Sequence, residues 1–197
     1  MPETPTDDAR FAAEALCWLP DVTRYARSLA RDEADADDLV QDTFLAAYRQ
    51  WHQFVPGSEC RAWLFTICRN RFYRLREREE RVVATEDADL EAIAAAAIHQ
   101  SARQSGLSDA FERVEIREAV QAAIAALPEA YREVALLVDL HDHTYESASR
   151  IVGVPVGTVR SRLFRARRLL QETLLTHARD AGFGVTGHQP TPRGPAT

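Results

Sequence analysis

The chain has 197 residues, 46% of them hydrophobic, with 30 acidic against 24 basic side chains and a net charge of −6. That length and apolar content suit two small cores, while the lack of any run near the ~20 apolar residues a bilayer demands argues against membrane insertion. Three scattered cysteines, Cys17, Cys60 and Cys68, support neither a disulfide framework nor a zinc knuckle; Cys17 and Cys68, among apolar neighbours, are expected in the core.

Helix formers dominate and β-branched runs are scarce, so the expected class is all-α, two helical domains joined by a flexible linker. The N-terminal MPETPTDDAR is acidic and polar, unlike a signal peptide, and the expected location is cytoplasmic. From Phe11 to Ala30, Phe11, Ala15, Trp18, Val22, Ala26 and Leu29 keep helical spacing, with Pro20 kinking or dividing the run. Arg31 to Asp37 is predicted as a charged turn. Asp37 or Asp38 then caps a helix, with Gln41 in the capping-box position after Asp38. In that helix Val40, Phe44, Ala47 and Trp51 form the apolar stripe, and its acidic start suits the positive end of the helix dipole.

FVPGSE at 54–59 is a turn by its Pro-Gly pair. Cys60 to Arg81 follows as one helix or two, with Leu64, Ile67, Cys68 and Leu75 inward. Around the rest of its circumference Trp63, Phe65, Phe72 and Tyr73 interleave with Arg61, Arg69, Asn70, Arg74 and Arg76. Aromatic faces accept stacked bases and guanidinium groups hold a phosphate backbone, so this pattern fits single-stranded nucleic acid; aromatics packed in a core are the alternative.

Residues 83–112 lack consistent periodicity and are predicted as the linker. In the second domain Val120, Ile124 and Leu127 mark one helix, and Tyr131, Val134, Leu137 and Val138 the buried face of the next. DLHDH at 139–143 brings Asp139, His141, Asp142 and His143 together; a polar loop explains it better than a metal site, and neither a metal nor a cofactor is expected. Tyr145–Val152 is a short helix ended by Gly153, and Pro155 with Gly157 makes a tight turn into a second helix, a helix-turn-helix. In VPVGTVRSRLFRARRLL, Val156, Val159, Leu163, Ala166 and Leu170 form the inward face. Ser161, Arg165 and Arg168 lie opposite, with Thr158 and Phe164 beside them and Arg160 and Arg162 flanking. No acid interrupts the arginines before Glu172, which suits a DNA major groove better than a solvated helix. The Gly- and Pro-rich tail after about Thr176 is expected to be disordered.

Charge is segregated along the chain. Residues 1–60 carry 12 acids against 5 arginines, but 61–81 carry 3 against 7 and 150–197 carry 2 against 8. Such a chain should bind DNA poorly alone, since its net field repels phosphate while two local patches attract it.

Four blocks give the chain a family resemblance: DADDLVQDTFLAAY at 35–48, RAWLFTICRN at 61–70, LPEAYREVALL at 127–137 and VGVPVGTVRSRLFRARRLL at 152–170. In this order they resemble the extracytoplasmic-function (ECF, group IV) sigma factors of the sigma-70 family. The resemblance implies a promoter-specificity subunit of RNA polymerase, not an enzyme, with sigma region 2 at 1–82, a linker at 83–112, sigma region 4 at 113–176 and a tail at 177–197. It places Asp37, Asp38, Leu39, Gln41, Asp42 and Phe44 at the β′ clamp helices of core polymerase. It places Arg61, Trp63, Asn70, Arg71 and Arg74 at the melted minus-10 element. Region 4 binds the β flap, and Thr158, Arg160, Ser161, Phe164, Arg165 and Arg168 fall at the minus-35 element. The further implied partner is an anti-sigma factor, the chain being most similar to members restrained by zinc-containing ones. On this view, polymerase separates the two domains and presents both basic faces.

One stretch departs from the family pattern. Where a string like YEEIAEILG is usual, this chain has YESASRIVG, so Ser147, Ser149 and Arg150 replace the more typical side chains. The runner-up reading is a dimeric helix-turn-helix regulator on a palindromic operator, which leaves the aromatic and arginine-rich segment without a role.

Overall fold

A computed structural model describes residues 7–83 and 108–180; most of the expected linker and tail lies outside them. Every regular element among the described residues is helical. The N-terminal lobe comprises α1 (Asp7–Glu14), a short 3₁₀ turn (Leu16–Trp18), α2 (Leu19–Leu29), α3 (Glu33–Arg49), a second 3₁₀ turn (Trp51–Gln53) and α4 (Cys60–Val83). The C-terminal lobe comprises α5 (Ser108–Ala125), α6 (Glu129–Ala135) running into a π turn (Leu136–Leu140), α7 (Tyr145–Val152) and α8 (Val156–Asp180).

Pro20 divides rather than kinks the first apolar run, because it sits in the opening turn of α2, where its missing N–H is no loss. The cap of α3 corrects the sequence expectation. Asp32, not Asp37 or Asp38, caps this helix, its carboxylate accepting from the Asp35 N–H at 2.9 Å. With Ala34 and Ala36 following, nothing delays helix entry, and the predicted charged turn becomes the first turn of α3. The buried row of α3 is accordingly Ala36, Leu39, Thr43, Ala46 and Ala47, while Val40 and Phe44 are half-buried.

Around these helices the N-terminal core closes through rings: Tyr25 stacks on Phe65 at 4.5 Å, Trp51 on Phe54 at 4.7 Å, and Phe11 meets Trp51 edge-on at 5.2 Å. Leu64, Ile67 and Cys68 point inward as predicted, but Leu75 lies beyond the core and is exposed. Cys17 is exposed too, because the 3₁₀ turn before α2 swings it outward. Cys60 and Cys68 are buried, and that burial pushes their thiols up to about 11 and about 12, far from the reactive thiolate range.

In the C-terminal lobe α8 packs on α5, α6 and α7 through Val159, Leu163 and Ala166, all buried, with Val156 and Leu170 half-buried at the ends of the stripe. Helical structure exceeds the expected limits here, since α5 starts at Ser108 and α8 continues to Asp180. The two lobes are not held apart: α4 packs directly on α7.

Candidate nucleic-acid interface

The helix-turn-helix is built by local chemistry. Thr144 caps α7, its hydroxyl accepting from the Ser147 N–H at 3.1 Å. Gly153 ends α7 at φ +77°, in the left-handed region where a glycine has no Cβ to clash. The Ser149 hydroxyl ties the turn by donating to the Val154 carbonyl at 2.5 Å. Pro155 opens α8, its carbonyl accepting from the N–H groups of Thr158 at 2.8 Å and Val159 at 3.1 Å.

With Val159, Leu163 and Ala166 fixed inward, the other side of α8 faces solvent. Ser161, Phe164, Arg165 and Arg168 are exposed, Arg160 is exposed beside Tyr145, and Thr158 is half-buried. Phe164 is 71% exposed, a large apolar ring among the arginines. Neighbours pre-position the arginines. The Arg160 guanidinium lies 5.7 Å over the Tyr145 ring, and Arg165 Nη1 donates to the Tyr131 hydroxyl at 3.3 Å. Arg168 pairs with Glu172 at 2.9 Å, one turn later. Arg167, one i,i+7 step from Arg160, is held by Asp139 through two hydrogen bonds, of 2.6 and 3.2 Å. The six residues predicted for duplex contact therefore gather on one side of α8.

The α4 face is different. Asn70 and Arg74 are exposed and Arg71 is half-exposed. Trp63 is half-buried, its ring 5.2 Å from Phe54 and 5.9 Å from Trp51, and Phe65 is wholly core. Arg61 is not on the open face at all. Its side chain is 17% exposed, lies 5.1 Å over Phe65 and 5.8 Å over Trp18, reaches Asp21 at 3.3 Å and donates to the His141 carbonyl at 2.6 Å. A guanidinium enclosed in this way does not present its donors to phosphate while the lobes stay packed.

On α3, Asp37, Asp38, Gln41 and Asp42 form an exposed acidic patch, and Phe44 is half-buried beside it. Leu39 is fully buried, so it acts by seating the helix and does not itself reach a partner in this arrangement. Leu45 and Tyr48, exposed on the same helix, escaped the sequence reading. An apolar residue out of phase with the stripe was the available signal.

The DLHDH segment is no solvated loop. The π turn sends the His141 N–H back to the Leu136 carbonyl at 3.0 Å, and Asp142 takes a positive φ of 51°, so His141 and His143 both turn inward. Each is buried. Among the described residues no group of three or more His, Cys, Asp or Glu side chains is gathered for a metal ion. Other residues missed by sequence reasoning are Glu59 and Glu133, which pair across the lobes with Arg150, noted there as a departure from the motif, and with Arg69. Glu133 had a signal, a lone acid beside Val134 on the apolar side of α6.

Residues 16–82 match the Sigma-70 region 2 family and residues 117–170 match Sigma-70, region 4. The chain is 39% identical over 164 residues to the ECF RNA polymerase sigma factor EcfG of Rhodopseudomonas palustris (strain TIE-1), covering 82% of this chain and 83% of that one. The chain belongs to the ECF sigma factors. It is also 31% identical to SigM of Bacillus subtilis (strain 168), with 78% and 88% covered. Among solved structures, the sigma factor RpoE in complex with the anti-sigma factor NepR from Bartonella quintana matches with a TM-score of 0.65 at 32% identity, over 84% of this chain and 97% of that one. The structure of CnrH in complex with the cytosolic domain of CnrY matches at 0.59 and 26% identity, over 84% and 88%. As an ECF sigma factor the protein is an RNA polymerase sigma factor with both region 2 and region 4 present. No described helix is long and apolar enough to cross a membrane.

Proposed function

We propose that this sigma factor joins core RNA polymerase through the acidic α3 patch (Asp37, Asp38, Gln41 and Asp42), reads the minus-35 element with α8 and engages the melted minus-10 strand with α4. It supplies binding and positioning, with no chemical step of its own. The observation that carries this reading is the outer face of α8, where Arg165 on Tyr131 and Arg160 over Tyr145 surround an exposed Phe164. Phosphate contacts set register, and guanidinium and hydroxyl groups at base edges specify. On α4, Asn70, Arg71 and Arg74 serve the single strand, with Trp63 at its edge; Arg61 joins them once the lobes part.

An anti-sigma factor is the second partner, by analogy with the sigma factors in the compared complexes. A groove of about 1050 Å³ runs between the lobes, lined by acids such as Asp38 and Asp42, by arginines such as Arg27 and Arg132, and by Leu75 and Ile124. Its mixed charged and apolar lining suits an amphipathic segment of such a partner.

Purified chain added to sigma-free core polymerase should give discrete transcripts from genomic fragments. Arg165→Ala should lower output at minus-35-dependent promoters by an amount corresponding to ~1–3 kcal/mol, with the circular dichroism spectrum unchanged. Unaltered promoter choice by the Arg165→Ala holoenzyme rejects the α8 assignment, and absence of any initiation by the unmodified chain rejects the whole reading.

A further inference from the structure

The lobe interface uses Arg61, a side chain that the proposed promoter contact on α4 also needs. From the N-terminal lobe, Arg61 donates to the His141 carbonyl at 2.6 Å, and the Ser28 hydroxyl meets His141 Nε2 at 3.2 Å. Arg69, one turn before Tyr73 and with its guanidinium 4.9 Å over that ring, pairs with Glu133, whose side chain is 6% exposed. Arg76 reaches Glu129 at 3.2 Å, and Arg150 pairs with Glu59 at the rim.

Rings complete the contact. His141 sits edge-on to Tyr25 at 5.2 Å and to Phe65 at 5.6 Å, and His143 lies 4.5 Å from Phe65. His143 is held from below by Ser147, Nδ1 to Oγ at 2.9 Å. Thus Ser147 and Arg150, two of the residues where this chain departs from the usual motif, support the interface, one through His143 and the other directly.

This interface is polar and incompletely satisfied. Tyr25 Oη, Arg61 Nε and His143 Nε2 are buried without a hydrogen-bond partner. Groups left this way penalise the closed arrangement, and water satisfies them when the lobes part. A contact made of charge pairs and rings with such penalties opens more readily than a shared aliphatic core.

We infer that the His141–His143 turn is a built-in latch: seated against Tyr25 and Phe65, with Glu133 clasping Arg69, it closes the sigma factor on itself and withholds Arg61 from DNA until a partner opens the lobes. The withholding half rests on the proposed promoter role of α4; the closure itself does not.

Distances between labels in the full-length chain test it. With Cys17→Ser removing the exposed thiol, Arg49→Cys and Gln171→Cys carry labels on exposed positions of the two lobes. The parent chain should give one short, narrow distance distribution. His141→Ala with Glu133→Gln should shift it to longer, broader distances, with helical content retained. Because buried substitutions can damage a lobe, the rim pair provides a second arm. Arg150→Glu should add to the opening, and Glu59→Arg in the same chain should reverse that increment.

Binding of a single-stranded minus-10 oligonucleotide by the polymerase-free chain is measured alongside and should tighten at least several-fold on opening. An unchanged distance distribution in all variants overturns the latch. Opening without any gain in oligonucleotide binding overturns the withholding half and counts against the α4 assignment, while leaving the measured closure intact.

Discussion

His141 and His143 carry an electrostatic consequence that falls in the mildly acidic pH range. Burial, then the nearby Arg61, holds both imidazoles down at about 4, against an ordinary value near 6.5; Arg24 adds to this for His141, and His141 adds to it for His143. Asp21 and Asp142 oppose the shift for His141, and Asp21 alone for His143, without overcoming it. The native lobe interface therefore binds fewer protons than an opened or unfolded chain between those two values. Its stability is fully present above about pH 6.5 and falls as the pH drops toward 4. At pH 5 the loss should be on the order of 1–2 kcal/mol per histidine. Thermal unfolding followed from pH 7.5 to 5 should show this decline, and His141→Asn with His143→Asn should flatten it. A profile equally steep in the double variant would assign the pH dependence elsewhere.

At the level of elements, caps and turn residues decide where helices begin and end, and most were readable because they act within a few residues. Gly153 and Pro155 bound the turn of the helix-turn-helix as predicted, and the apolar phase of α8 placed its arginines outward. Open space surrounds the position of a Cβ on Gly153, so Gly153→Ala meets only the cost of a left-handed backbone. That cost is about 1–2 kcal/mol. Chemical denaturation should show it, and minus-35 binding should weaken in step if α8 is tilted by relief of the strain. The cap of α3 was misplaced because several aspartates in a row can all serve; Asp32 acts first and the helix continues through the others. The row seated by that early start is the one that buries Leu39, so a residue expected at the polymerase surface supports the surface from beneath.

As a whole molecule, the protein combines a net charge of −6 with two arginine faces on separate lobes. In the closed arrangement only the α8 face is fully displayed. We predict that promoter duplex binding by the chain alone is weak, falls steeply with salt, and tightens by about ten-fold or more when core polymerase is present. Gel-shift titrations with and without core would check this. Tight, polymerase-independent binding to a palindrome would favour a dimeric regulator instead. What the amino-acid sequence determined by itself was the all-α class, the helix-turn-helix and the outward arginine crest. Helical periodicity and glycine or proline turns are encoded within short windows, so they survive without knowledge of neighbours. What only the tertiary structure decided was partnership. Arg69 meets Glu133 across 64 positions and Arg61 meets His141 across 80; such pairs depend on how α4 packs against the other lobe. The same packing turned DLHDH from a polar loop into a buried wedge, because a π turn and one left-handed aspartate direct both imidazoles toward Phe65.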